Sequence, residues 1–158
     1  MKKILFLLSV VFMLNNSSLK AQTDLVLTGD PTLCNQVEVY VYAYEACGNK
    51  VKSNPFIVTP GSGPTTYNLL NPAYWGVYPA GAWTIEEILV RDDCRTGLTT
   101  GSIPCGNYDA AILYTGISCT ILTPSTCYET SSGCGGCGAG DLVNINLTVG
   151  TDIRVNIN

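Results

Sequence analysis

Apolar and polar residues alternate with a period of two through most of the chain, the mark of half-buried β-strands rather than helices. The pattern is cleanest near the C-terminus. There Val143, Ile145, Leu147 and Val149 alternate with Asn144, Asn146 and Thr148; beyond Gly150-Thr151, Ile153, Val155 and Ile157 alternate with Arg154 and Asn156. This predicts an antiparallel hairpin. Val37 to Glu45 reads the same way, with Val37, Val39, Val41 and Ala43 on one face and Glu38, Tyr40, Tyr42 and Tyr44 on the other. Shorter strands are expected at Asp24–Thr28, Phe56–Thr59 and Thr65–Leu70, punctuated by Gly29-Asp30-Pro31 and Pro60-Gly61-Ser62-Gly63-Pro64. Tyr108 to Leu122 holds one or two more. In Trp83 to Val90, Trp83 and Ile85 share a face with Ile88 and Val90 only if a bulge at Glu86-Glu87 absorbs one residue. Seven to nine short strands with no helical period predict a single all-β domain, a β-sandwich.

One segment departs from this pattern. Lys2 and Lys3 precede an apolar run from Ile4 to Leu14, and Ser17-Ser18-Leu19-Lys20-Ala21 ends in a small residue, the layout of a signal peptide cut after Ala21. Residues 22–158 are then the folded domain. The apolar run falls short of the roughly 20 residues that span a bilayer, so no membrane span is expected. Three of the eight basic residues leave with residues 1–21 and none of the twelve acidic ones does, which moves the net charge from −4 to −7. Such a chain repels nucleic acid and anionic membrane surfaces. The expected destination is the extracellular space or the cell surface, with the periplasm as the alternative.

The chain has no histidine, 13% charged residues and eight cysteines. Without histidine there is no Ser-His-Asp or Cys-His nucleophile system and no imidazole metal ligand, so neither catalysis nor a cofactor is expected. An even cysteine count in an exported chain reads as a disulfide framework made of Cys34, Cys47, Cys94, Cys105, Cys119, Cys127, Cys134 and Cys137. Cys34 and Cys47 flank the long strand, which would hold them roughly 40 Å apart at about 3.3 Å per residue, far beyond the reach of a bridge. Cys94 with Cys105, and Cys119 with Cys127, are spaced to close turn-rich loops. Cys134-Gly135-Gly136-Cys137 has the spacing of redox and zinc motifs, but no helix follows it and no second close pair exists. It reads as a structural part of a Gly/Cys-rich loop at 123–141. Asp30, Asp92, Asp93, Asp141 and Asp152 lie in or near expected turns, yet no Asp-x-Asp-x-Asp-Gly loop gathers them, so no metal site is expected.

The candidate ligand-binding residues are aromatic. Tyr40, Tyr42 and Tyr44 form a row beside Glu38, and tyrosine combines a large apolar area with a polar tip, as suits stacking on sugars or contact with protein. The other reading is a central strand covered on both faces, which the apolar content of both faces favours. Tyr74 and Trp75, in the loop after Asn71-Pro72, form a second aromatic group that either plugs the core or binds, while Trp83 is assigned to the core.

Two stretches carry a resemblance. Gly61-Ser62-Gly63-Pro64-Thr65-Thr66-Tyr67, then Pro79-Ala80-Gly81-Ala82-Trp83-Thr84-Ile85 and Arg91-Asp92-Asp93-Cys94, resembles the surface repeats of Bacteroidota gliding-motility adhesins. The Gly-x-aromatic-x-aliphatic strand, with the hairpin around Asn146-Leu147-Thr148-Val149-Gly150-Thr151, is similar to carboxypeptidase regulatory-like domains. The resemblance implies an immunoglobulin-like or transthyretin-like sandwich that is extracellular and non-catalytic. It implies partners among cell-surface proteins or glycans. A structural or adhesion module is the leading expectation, and a carbohydrate-binding module using the tyrosine face is the alternative. The last strand, Ile153 to Asn158, is expected at a sheet edge open to strand addition and self-assembly. Export with cleavage after Ala21 predicts an intact mass for the released protein that starts at Gln22; a mass that retains residues 1–21 would exclude the signal.

Overall fold

Strands whose apolar residues fall on one side must bury that side against another layer, and the chain does so with two sheets. The computed structural model describes residues 23–45, 48–92, 99–100, 107–108, 110–115, 127–129 and 142–158. In chain order the strands are β1 (Asp24–Gly29), β2 (Val37–Glu45), β3 (Lys50–Lys52), β4 (Phe56–Val58), β5 (Thr65–Asn68), β6 (Trp83–Asp92), β7 (Thr99–Thr100), β8 (Asn107–Tyr108), β9 (Ala110–Tyr114), β10 (Cys127–Glu129), β11 (Leu142–Val149) and β12 (Ile153–Ile157). One sheet runs β5-β1-β12-β11-β10-β8-β7 and the other β3-β2-β6-β9, with β4 also on β2. The two-sheet all-β architecture matches the alternation. The twelve segments among the described residues exceed the expected seven to nine because β3, β7, β8 and β10 are two or three residues long, too short to show a period. A single turn of 3-10 helix, Pro72–Tyr74, follows the Asn71 cap, whose side chain accepts from the Ala73 amide. Among the described residues no helix is long and apolar enough to cross a membrane.

The core is where the two inner faces meet. Leu25, Leu27, Val143, Ile145, Ile153, Val155 and Ile157 from the larger sheet pack in one cluster with Val37, Val39, Val41, Ala43, Ile88, Val90 and Leu113 from the smaller. Each fully buried aliphatic side chain contributes about 1.5–3 kcal/mol. Polar ties cross the same space. The Tyr128 hydroxyl on β10 donates to Asp92 Oδ1 on β6 at 2.8 Å, with both residues buried. Near one end, β1 and β4 approach so closely that a Cβ on Gly29 would lie 2.5 Å from the Thr59 carbonyl oxygen. Only glycine fits there.

The expected bulge is present. Against β2, the register passes from Tyr42↔Glu87 to Ala43↔Ile85, leaving Glu86 as the extra residue. The interrupted ladder is repaired from β9's end: the Thr115 amide donates to Glu86 O at 3.0 Å and its hydroxyl to Ile85 O at 2.6 Å. The bulge keeps Trp83 and Ile85 on the core side with Ile88 and Val90, all buried.

Two expectations need correction. The last strand is not an edge. β12 pairs parallel with β1, from Leu25↔Ile153 to Gly29↔Ile157, and antiparallel with β11, from Ile145↔Ile157 to Val149↔Ile153. Ile153, Val155 and Ile157 are 0% exposed, a burial that the middle of a sheet provides and a bare edge does not. Strand addition along β12 is therefore blocked on both sides. Within the stretch read as a Gly/Cys-rich loop, Cys127–Glu129 forms β10; the rest of 123–141 lies outside the described residues. Cys34 and Cys127 are each disulfide-bonded. The other six cysteines, and with them the proposed Cys94–Cys105 and Cys119–Cys127 closures and Cys134-Gly135-Gly136-Cys137, also lie outside.

The tie between sheets generates a stability prediction. Tyr128→Phe removes the donor to a buried carboxylate and is expected to lower unfolding free energy by about 1–3 kcal/mol in urea denaturation. An unchanged midpoint would show that the contact adds nothing to stability.

Candidate functional site

The outward face of the smaller sheet is built by parity. On β2 the inward valines force Glu38, Tyr40, Tyr42 and Tyr44 outward, because successive side chains point to opposite faces. On β6 the bulge at Glu86 resets the alternation so that Glu87, Leu89 and Arg91 point out as well. Register then aligns Tyr42 with Glu87, Tyr40 with Leu89 and Glu38 with Arg91. On the other side of β2, Lys52 stands opposite Tyr42 and Lys50 opposite Tyr44.

These side chains form a connected layer. Arg91 Nε donates to Glu38 Oε2 at 2.8 Å, Arg91 Nη2 donates to the Tyr40 hydroxyl at 2.8 Å, and that hydroxyl donates to Glu38 Oε2 at 2.8 Å. Lys50 Nζ donates to Glu87 Oε2 at 2.7 Å, and Tyr44 Oη donates to the same oxygen at 3.4 Å. Ammonium groups also sit on the rings. Lys52 Nζ lies 3.6 Å from the Tyr40 ring centroid, and Lys50 Nζ lies 4.1 Å from that of Tyr42. Arg91 Cζ lies 4.9 Å from the Tyr40 centroid. Beneath the polar groups, Tyr40 and Leu89 form a second small apolar cluster, flanked by Tyr42 and Ile112.

Titration follows from this packing. Burial raises the Tyr40 phenol above its ordinary 10.0; the hydrogen bond to Glu38 adds to the rise and the Arg91 charge opposes it. Burial likewise raises Tyr42, with the Lys50 charge opposing. Burial lowers Lys52, and so does the like charge of Arg91, while Glu38 pulls the other way. For Lys50 burial acts downward as well, but the contact with Glu87 outweighs it and the ammonium is raised.

The residues proposed from sequence divide into two places. Tyr40, Tyr42 and Tyr44 lie together on the outer face, with Tyr40 buried at 6% exposure and the other two half-buried. They are not the bare row the alternation suggested: lysines cover the rings of Tyr40 and Tyr42. Tyr74 and Trp75 are elsewhere. Trp75 is 5% exposed, its indole N–H donates to Leu69 O at 2.9 Å, and it packs edge-on against Trp83 at 5.5 Å. Tyr74 packs on Phe56 and Tyr67 at ring separations of 5.4 and 5.7 Å. Both close the core at the loop after Asn71, and Trp75 is too buried to meet a ligand. Sequence reasoning does not bring Lys50, Lys52 or Arg91 to the site, and it takes Glu87 as part of the bulge. The signal for β3 was present in Lys50-Val51-Lys52, two lysines at strand spacing around one apolar residue.

The fold and the layer define a two-sheet all-β module with an aromatic and ionic outer face. Comparison with known proteins finds no matching family model, no matching curated protein and no matching solved structure.

Alkaline titration checks the layer. A raised phenol pKa means the unfolded chain releases its proton first, so the stabilisation is complete below the ordinary phenol range and is lost as pH rises through the folded-state value. Stability is thus expected to fall from about pH 10 upward, with phenolate absorbance showing a late-ionising component that Tyr40→Phe diminishes. A single ordinary phenol titration in the native protein would contradict the packing described.

Proposed function

We propose that the chain is a secreted or cell-surface structural and adhesion module, non-catalytic, that works by surface contact through the outer face of β3, β2, β6 and β9. The observation that carries this reading is the held geometry of that face. Tyr42 and Tyr44 are half-buried, and their neighbours Tyr40, Glu38, Arg91, Lys50 and Glu87 are locked by the bonds described above. A contact surface whose side chains are already ordered loses less entropy when a partner arrives. Aromatic and arginine side chains at the centre of a patch are also the usual carriers of binding energy.

The same reading takes residues 1–21 as the export signal and residues 22–158 as the working domain. It takes the eight cysteines as a framework of four bridges that hold an immunoglobulin-like or transthyretin-like sandwich in an oxidising compartment. The absence of histidine in the sequence supports contact rather than catalysis. The resemblance to adhesin repeats supports partners at the cell surface. A platform for neutral sugars fits less well, since stacking needs bare ring faces and ammonium groups sit over those of Tyr40 and Tyr42.

Beads coated with the chain are expected to attach to the cells that export it. A Tyr42→Ala/Tyr44→Ala variant with an unchanged melting temperature is expected to attach about tenfold less. Attachment no better than that of uncoated beads, or undiminished in the variant, overturns the reading.

A further inference from the structure

The charge on this face runs against the charge of the chain, which is acidic overall. Of the four basic side chains among the described residues, Lys50, Lys52 and Arg91 lie on the outer face of the smaller sheet, and Arg154 lies on the other sheet, paired with Asp152. The two carboxylates of the face are set beneath. The Glu87 and Glu38 side chains are 8% and 16% exposed, whereas the Lys50 side chain is 38% exposed and Lys52 is exposed. An approaching molecule meets ammonium groups first. Lys52 makes no ion pair with a carboxylate among the described residues; the Arg91 guanidinium, of the same sign, shares the Tyr40 ring with it, and Glu38 attracts its ammonium without bonding it.

We infer that the partner of this face is an anionic polysaccharide, held by Lys52 and Lys50 through its carboxylate or sulfate groups and by the Tyr42 and Tyr44 rings through its sugar faces. This rests on the contact reading above and names the partner's chemistry. Lys50 covers the Tyr42 and Tyr44 rings, 4.1 and 5.7 Å from their centroids, so an anion that takes its ammonium from Glu87 uncovers both rings in the same movement. An acidic peptide would satisfy the lysines but bring no flat sugar face to the rings. Entry of a peptide as an added strand is discouraged by the two lysines on β3, the strand at the edge of this sheet.

Binding of the purified full chain to polygalacturonate, alginate and chondroitin sulfate, measured by calorimetry, tests this. At least one is expected to bind, and about tenfold more weakly at roughly 0.5 M NaCl, because the contact is ionic. Lys52→Gln is expected to weaken binding about fivefold and Arg154→Gln to leave it unchanged; dextran, a neutral polymer, is expected not to bind. Binding to none of the three polyanions, insensitivity to salt, or equal losses in the two variants overturns the inference. Poly-L-glutamate binding as tightly as the best polysaccharide, with the same dependence on Lys52, overturns the sugar assignment. In the bead assay, loss of attachment with Tyr42→Ala/Tyr44→Ala but full attachment with Lys52→Gln would remove the anionic partner and leave the contact reading standing.

Discussion

The rest of the structure depends on β2 being clamped from below. Val37, Val39, Val41 and Ala43 are essentially inaccessible to water, packed against the opposing sheet. That burial fixes the register of β2 against β6, since a slip of one residue would put the tyrosines in the core and the valines in water. Once the inner row is fixed, the outer row has no freedom of its own. Its tyrosines, Glu87 and Arg91 of β6 and the lysines of β3 stand where the backbone ladders put them.

Bulge and face belong together for the same reason. An uninterrupted β6 would carry Trp83 and Ile85 to the side opposite Ile88 and Val90. With Glu86 absorbed as the extra residue, all four stay inward, and Glu87 comes out opposite Tyr42, where Lys50 reaches it. Thr115 holds the bulge by bonding the two carbonyls it displaces. One irregularity therefore serves both the core and the charged layer.

What could be read from the chain was what repeats. The strands at Val37–Glu45, Trp83–Val90 and the final hairpin announced themselves by alternation, and the bulge announced itself as a break in that alternation. Segments of two or three residues cannot show a period, and β3 was missed for that reason, along with the lysines it carries to the site. Position within a sheet was also illegible. Alternation says that β12 has a buried face but not that β1 covers one of its edges, because that pairing joins residues far apart in the chain. The three tyrosines could be placed on one face, yet their cover comes from β3 and β6, across the sheet. Trp75 was left open because a loop aromatic becomes core or surface according to which way its loop folds, and here the indole N–H finds the Leu69 carbonyl inside.

The parallel pairing of β1 with β12 also bears on how the chain reaches this state. Residues 25–29 find their partners at 153–157, and β12 in turn bridges β1 to β11 at the middle of the larger sheet. Loop closure over such a separation is entropically unfavourable and contributes nothing until both ends are present, which slows folding. Until β12 emerges, β1 has only β5 beside it. The larger sheet therefore closes around its centre only when residues 153–157 are in place, and everything that leans on that centre waits for them.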